Sequence, residues 1–418
     1  MKTRTKIILD DWIARLVVLL LNISARILGQ LLRIDHRFKK NPRRIVVCKF
    51  IGMGSIIQAT PLLLSLRKSF PDAEITFLTS AGNHVLLSSI PAINNILTID
   101  DKKISSVIGD TIKVLIDLWK RKADFYIDLE TYSYYSTVVA TLSCAVNRFG
   151  FYRLERNIRM GVYTHMMFYN TRAAISESYL QMARLIGCDQ LHNELYHFEI
   201  DPSAKASLQS KLPKLTASSY IVINPNASDL RLERRWPAAK YVQLFEELNA
   251  SLIGYQFVLI GGKEEVEYVK QIENAISAEA KINILNTSGQ LSLPELFALI
   301  NSATLVITND TGPMHISFSL ERPTIALFGP ASPNQYGQSK HVFGIYKNVY
   351  CSPCVHDFIT PPCFGDNQCM KQISVKEVAT LTQKVIQSNH VAGAVESSDM
   401  HFFKEDGSVA MGIIERNK

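Results

Sequence analysis

The 418-residue sequence lacks an apolar run long enough to cross a bilayer unbroken. The longest charge-free stretch near its start, residues 16–25, falls far short of the ~20 residues a spanning helix needs. No small-residue cleavage site follows that stretch, which argues against a cleaved signal peptide. Cysteine is scarce: seven residues, an odd number, four of them crowded late, do not make the framework of a small secreted domain. A reducing, cytoplasmic setting is therefore expected. There is no short-period repeat. The loop Gly52-Met53-Gly54-Ser55 has too few glycines in the right places for a dinucleotide fingerprint or a P-loop.

Excess charge is also missing from most of the chain. The formal net charge is +7, yet residues 1–44 alone hold eleven Lys and Arg against three Asp, so the remainder is close to neutral. A general nucleic-acid binder would carry its basic patch on the folded body. A local anionic partner is expected instead, and a membrane surface fits. Across residues 7–34, Asp11, Arg15, Asn22, Arg26, Gly29 and Arg33 recur along one side of a helix. Leu16, Leu20, Ile23, Ile27, Leu31 and Ile34 lie opposite. With the basic run 37–44, this predicts a helix lying in the interface. A tilted or anchoring span and a helix packed on the protein itself are the alternatives.

What is present is a globular composition, 47% hydrophobic and 20% charged, in a chain long enough for two domains plus extensions. From residue 43 onward apolar strands alternate with amphipathic helices, the signature of βαβ units with parallel sheets. Strands are expected at 45–50, 74–79, 125–129, 220–224, 256–260, 305–308 and 324–328. The predicted architecture is α/β with two Rossmann-like domains whose parallel sheets face across a cleft, preceded by the amphipathic helix. Its boundaries are 1–42 for the membrane segment, 43–205 and 219–388 for the two domains, 206–218 for a polar linker and 389–418 for a loose tail. Ligands of such folds sit at the carboxyl ends of the strands.

Three turns carry candidate chemistry. Asp310-Thr311-Gly312, continuing through Met314 and His315, joins a strand to an apolar helix. It offers backbone N–H groups and a positive dipole end to a diphosphate, or is simply a helix cap. Asn226 ends the 220–224 strand segment and Arg231, Arg234 and Arg235 follow, as phosphate ligands or as a solvated loop. Gly261-Gly262-Lys263-Glu264-Glu265 could accept donor hydroxyls or merely open a helix.

Together these segments resemble glycosyltransferase family 9, the heptosyltransferases of lipopolysaccharide core. The matching pieces are VVCKFIGMGSIIQATPLLLSLRKSFPDAEITFLTS, VINPNASDLRLERRWPAAKYVQL, FVLIGG, VITNDTGPMHISFSLERPTIALFGPASP and CSPC, in family order over residues 43–385. The resemblance implies a GT-B fold, acceptor on the first lobe, nucleotide sugar on the second, and inversion without a required metal. It places Asp310, Thr311, Gly312 and His315 at the donor diphosphate, Arg234 on phosphate, and Glu265 at the nucleoside. The implied acceptor is a lipopolysaccharide-type or lipid-linked glycan, at the inner face of a bacterial inner membrane. In the family the first loop commonly reads Gly-Asp, with that Asp the proposed base; here it is Gly54-Ser55. Serine cannot take a proton unaided near neutral pH. Asp128 and Glu130, at the end of the 125–129 strand, are the substitute carboxylates, with Glu130 favoured and a surface ion pair to Arg148 or Lys122 the alternative. Two other readings remain: a nucleotide-sugar epimerase of the same two-lobed architecture, against which the N-terminal segment counts, and a non-catalytic sugar-nucleotide binder, which Ser55 keeps open.

Cys351, Cys354, Cys363 and Cys369 offer four soft ligands in one short loop, expected as structural zinc or as free thiols. Cys48, Cys144 and Cys188 are expected to be small core residues.

Overall fold

The computed structural model describes residues 9–33, 36–37, 41–153, 158–217, 219–229, 231–337, 339, 341–358, 360–390, 401–403 and 409–411. Two compact units divide the chain, Met1–Tyr196 and His197–Lys418.

The first unit is built on strands β1 (Arg44–Cys48), β2 (Glu74–Ser80), β3 (Asn95–Ile99), β4 (Phe125–Asp128), β5 (Asn147–Tyr152) and β6 (His165–Phe168). They form one parallel sheet in the order β3-β2-β1-β4-β5-β6. Near-continuous apolar strands such as Ile45-Val46-Val47-Cys48, all buried, are what a sheet covered on both faces requires. Its helices include α1 (Arg15–Leu32, entered through a π-helical turn Asp10–Ala14), α2 (Met53–Gln58), α3 (Thr60–Ser69), α4 (Ile104–Arg121), α5 (Tyr134–Leu142) and α6 (Ile175–Ile186).

The second unit repeats the plan. Strands β7 (Tyr220–Asn224), β8 (Gln256–Leu259), β9 (Ile284–Asn286), β10 (Leu305–Asn309), β11 (Thr324–Phe328) and β12 (Val342–Tyr346) run parallel in the order β12-β11-β10-β7-β8-β9. Its longer helices are α7 (Pro202–Lys211), α8 (Ala238–Ser251), α9 (Val266–Asn274), α10 (Leu293–Asn301), α11 (Gly312–Ser319) and α12 (Val375–His390). Trp236, Tyr241, Phe245 and Phe257 anchor its core. In both sheets the winding reverses beside the first strand of the unit, between β1 and β4 and between β7 and β10. Such switch points are where doubly wound sheets open a crevice for ligand.

The stretch predicted as a linker, 206–218, contains the second half of α7. Asp201 caps that helix by accepting the Ser203 N–H at 2.8 Å, and Pro202 sits in its first turn. The Asp-Pro pair is thus a helix start and not loop punctuation. Lys211 and Ser207 fasten α7 to Glu295 of α10 at 2.8 and 2.6 Å. Within 389–418, the described segments His401–Phe403 and Val409–Met411 pair as two antiparallel strands.

The N-terminal helix has the predicted two-sided pattern, with an informative orientation. Its polar side faces the protein: Asn22 donates to the carbonyls of Ile158 and Met160, both at 2.6 Å, and Val18 is fully buried. Asp10 caps α5, accepting the N–H groups of Tyr134 at 2.9 Å and Tyr135 at 2.6 Å. The apolar side, Leu16, Leu20, Ile23, Ile27 and Leu31, is exposed; Ile34 lies outside the described residues.

Candidate active site

At the carboxyl edge of the first sheet, β1 and β4 end in register, Cys48 opposite Asp128. Lys49 follows, buried, with its ammonium 2.9 Å from Glu130 Oε2. Glu130 Oε1 accepts the N–H groups of Phe50 and Ile51, each at 2.8 Å. The carboxylate therefore staples the strand end that leads into Gly52. Gly52 itself has φ +90°, a left-handed conformation that a Cβ would strain, and it opens α2. Gly54 is buried in that first turn and Ser55 is half-buried.

Asp128 lies deeper still, with no exposed surface. It accepts from the Glu130 N–H at 2.9 Å, Ser136 Oγ at 2.8 Å, Arg159 at 3.2 Å and the Tyr163 hydroxyl. Burial raises its pKa, against the pull of Arg159. Arg159, itself buried, also donates to the carbonyls of Glu130 and Thr131, both at 2.8 Å. The two carboxylates do share an edge of the sheet, but neither is a free acceptor. Asp128 is enclosed in a network, and the Glu130 partner is the buried Lys49 and not Arg148 or Lys122, the partners named in the alternative reading.

In the second unit, β10 ends at Asn309, whose side chain organises the edge. Its Nδ2 donates to the Asn226 carbonyl at 3.0 Å, while its Oδ1 accepts from Trp236 N and Tyr241 OH at 3.3 and 3.1 Å. Trp236 is fully buried and pins the preceding arginines. Arg234 Nη1 lies 3.3 Å from Asp310 Oδ2 and donates to the Asp310 carbonyl at 3.2 Å. His315 Nε2 stands 4.0 Å from Asp310 Oδ1. Burial, opposed by Asp310, lowers the His315 pKa to about 4, so the ring is neutral at pH 7. Thr311 begins α11 in extended conformation and leaves the helix start without a side-chain cap. Its hydroxyl instead accepts from Asn224 at 2.8 Å. The Nε groups of Arg234 and Arg235 are buried without hydrogen-bond partners, while Asp310 Oδ2 is buried in its ion pair with Arg234. Unpaired buried donors are costly, and that of Arg234 suits an anion.

Arg235 turns away from that turn. Its guanidinium stacks 3.9 Å over the Tyr268 ring of α9, beside Glu265, which accepts the Gly262 N–H at 2.7 Å. Asn226 joins strand ends, its amide donating to the Ile260 carbonyl at 2.8 Å, and a Cβ on Gly261 would sit 2.9 Å from that amide nitrogen. Met314 is wholly buried core, so of this residue only the backbone borders the turn. Lys49, Arg159 and Tyr268 were not among the residues expected at the site. Tyr268 had a signal, since it follows Glu265 by three residues and shares its helical face.

The four late cysteines lie close enough to influence one another electrostatically. Among the described residues no three His, Cys, Asp or Glu side chains are grouped to hold a metal ion. Burial pushes the Cys354 and Cys369 thiols up to about 11 and 12, which keeps them protonated.

The Asp310 turn, with Arg234 paired to it, thus stands at the switch point of a doubly wound sheet in a chain built of two such α/β units. A model of glycosyltransferase family 9 (heptosyltransferase) matches residues 112–360. The chain belongs to that family. It is 27% identical over 282 residues to lipopolysaccharide heptosyltransferase 3 of Escherichia coli, covering 66% of this chain and 80% of that one. Lipopolysaccharide heptosyltransferase 2 of E. coli K12 is 25% identical over 298 residues, 70% of this chain and 84% of the relative. Among solved structures, E. coli ADP-heptose lipopolysaccharide heptosyltransferase II aligns with a TM-score of 0.68 at 22% identity, over 83% of this chain and 99% of its own. A family 9 glycosyltransferase from Veillonella parvula aligns equally well, 0.68 at 21% identity, over 85% and 100%. The fold is thus the GT-B fold of these enzymes. Membership in a transferase family disfavours the epimerase reading.

Proposed function

We propose that the protein transfers heptose or a related hexose, with inversion, from a nucleotide-sugar donor to a lipopolysaccharide-type or lipid-linked glycan. The observation that carries this reading is the Arg234–Asp310–Thr311 corner, whose unpaired buried donors and uncapped helix start suit a diphosphate. Glu265, Tyr268 and Arg235 form the neighbouring subsite for the nucleoside. ADP-heptose, named for the E. coli structure above, is the first donor to test.

In the reaction a base at the acceptor side takes the proton of the acceptor hydroxyl as its oxygen attacks the anomeric carbon from the face opposite the nucleotide, the bond from that carbon to the diphosphate oxygen breaks, and negative charge grows on the departing diphosphate. Arg234 and the start of α11 stabilise that charge, a preorganised contribution worth several kcal/mol in comparable sites. This account assigns no step to a metal ion. Neutral His315 can hydrogen-bond the phosphate or the sugar without adding charge. Glu130 acts as a positioning residue: it holds the strand end before Gly52 and Ser55, on the acceptor unit. The enzyme works at the inner face of the bacterial inner membrane, held there peripherally by α1, whose outward apolar side supports an in-plane anchor.

A panel of nucleotide sugars screened by thermal shift tests the donor assignment, because a ligand of the folded state raises its stability. Asp310→Ala should abolish the shift given by the best donor. If Asp310→Ala shifts as much as the parent protein, the donor site is elsewhere.

A further inference from the structure

A second exposed apolar stripe lies on the first unit, away from both candidate subsites. On α4, Ile104, Ile108, Ile112, Ile116 and Trp119 are between 42% and 57% exposed, while Val114, Leu115 and Leu118 of the same helix are buried. The stripe adjoins α5. Thr111 meets the Tyr135 hydroxyl at 2.5 Å near the start of α5, and the Trp119 indole donates to the Leu142 carbonyl at 2.6 Å at its end. From the start of α5, where Asp10 caps it, α1 also packs along that helix. Helix α5 thus touches both α4 and α1. The exposed stripe of α1, with Trp12 at 75% exposure, is the counterpart of the α4 stripe.

The charges bordering these stripes have one sign in excess. Arg15, Arg26 and Arg33 stand on or beside α1 against Asp10 and Asp11, the latter 3.8 Å from Arg15. On α4, Asp110 pairs with Lys113 at 3.2 Å, and Arg121 pairs with both Asp117 at 2.5 Å and Glu74 at 2.6 Å, with Lys120 and Lys122 beside them at the end of the helix. Beyond Trp119 an open hollow of about 480 Å³ is lined by Lys122, Ala123, Cys144 and Val146. Apolar side chains with tryptophans at their ends and a basic border are what an anionic bilayer surface recognises.

We infer that α4 is a second lipid contact, and that α1, α5 and α4 form one docking face that seats this unit on an anionic membrane. The inference rests on the membrane reading of α1 and extends it. Contacts from more than one helix would fix the tilt of the unit, which a single helix cannot. The first residue of α4 and the cap at Asp10 both stand at the carboxyl edge of the sheet, where the loop containing Ser55 lies. Docking this face brings that loop to the level of a lipid-held acceptor.

The test is cosedimentation of the full chain with phosphatidylglycerol-containing and with pure phosphatidylcholine vesicles. Ile108→Gln/Ile112→Gln alters α4, and Leu20→Gln/Ile23→Gln alters α1; all four positions are exposed. The α4 pair should weaken binding to anionic vesicles by about tenfold or more with an unchanged melting temperature. If the α4 pair binds like the parent while the α1 pair weakens, the inference about α4 fails and the reading of α1 stands. If the parent binds neither vesicle type, the membrane reading itself fails. Equal binding to both vesicle types overturns the anionic partner. Should light scattering show a dimer that the α4 pair splits without changing vesicle binding, the stripe joins two copies of the chain and the inference is overturned.

Discussion

Arg234 and Asp310 hold each other in a corner from which water is nearly excluded, and that corner depends on a residue with no chemistry of its own. Trp236 is fully buried, with its indole donating to the Ile373 carbonyl at 3.1 Å. Trp236→Ala should cost about 3–5 kcal/mol in denaturant unfolding and also reduce the donor-induced thermal shift, because the arginines lose their tether. His315 makes stability depend on pH. Its folded pKa, about 4, lies below the ordinary value of 6.5, so the unfolded chain takes up the proton first. The stability it contributes is present above pH 6.5 and is lost as the pH falls toward 4, by on the order of 3 kcal/mol. Unfolding curves of His315→Gln should be flatter across that window. Glu130→Gln keeps the side-chain shape but leaves Lys49 buried without its counter-charge. Unfolding should become easier by about 3–5 kcal/mol. As a positioning residue Glu130 should affect the acceptor KM more than kcat, and the pH profile of kcat should keep its acidic limb. A kcat loss of about a thousandfold with that limb gone would make Glu130 the base.

At the scale of elements, the two candidate edges sit where the winding of each sheet reverses. In both, a polar residue at or just past the end of a buried strand (Asn309 or Glu130) ties together loops from two strands. The N-terminal helix shows how an element is placed by a few polar contacts. Asn22→Ala removes two hydrogen bonds to the Ile158 and Met160 carbonyls, worth about 1–3 kcal/mol in total. Faster tryptic cleavage after Arg15 or Arg26, with the rest of the chain intact, is the expected result. Asp10 contributes at the other end. Burial raises its pKa to about 6, so the stability its docking adds is fully present below pH 3.8 and declines as the pH rises through 6.

For the whole molecule, donor and acceptor machinery are assigned to different units, so their responses should separate. Saturating nucleotide sugar should slow amide exchange in 305–319 and 256–274. Asp310→Ala should remove that protection and leave exchange across 44–55 and 125–131 as in the parent.

Much of this was legible in the sequence, because buried parallel strands must be apolar from end to end and the turns between them must be small and polar. That constraint located β1, β4, β7, β8, β10 and β11, the Asp310 turn, and the two faces of the N-terminal helix. Residues 206–211 of the expected linker are helical, because Asp201 and Pro202 start α7 upstream of it. Partners were decided only by the tertiary structure. Glu130 pairs with Lys49, eighty-one positions away, Arg235 stacks on Tyr268, and α1 turns its polar side inward. Such pairings depend on which strand ends the winding brings side by side, and local sequence spacing carries no record of that.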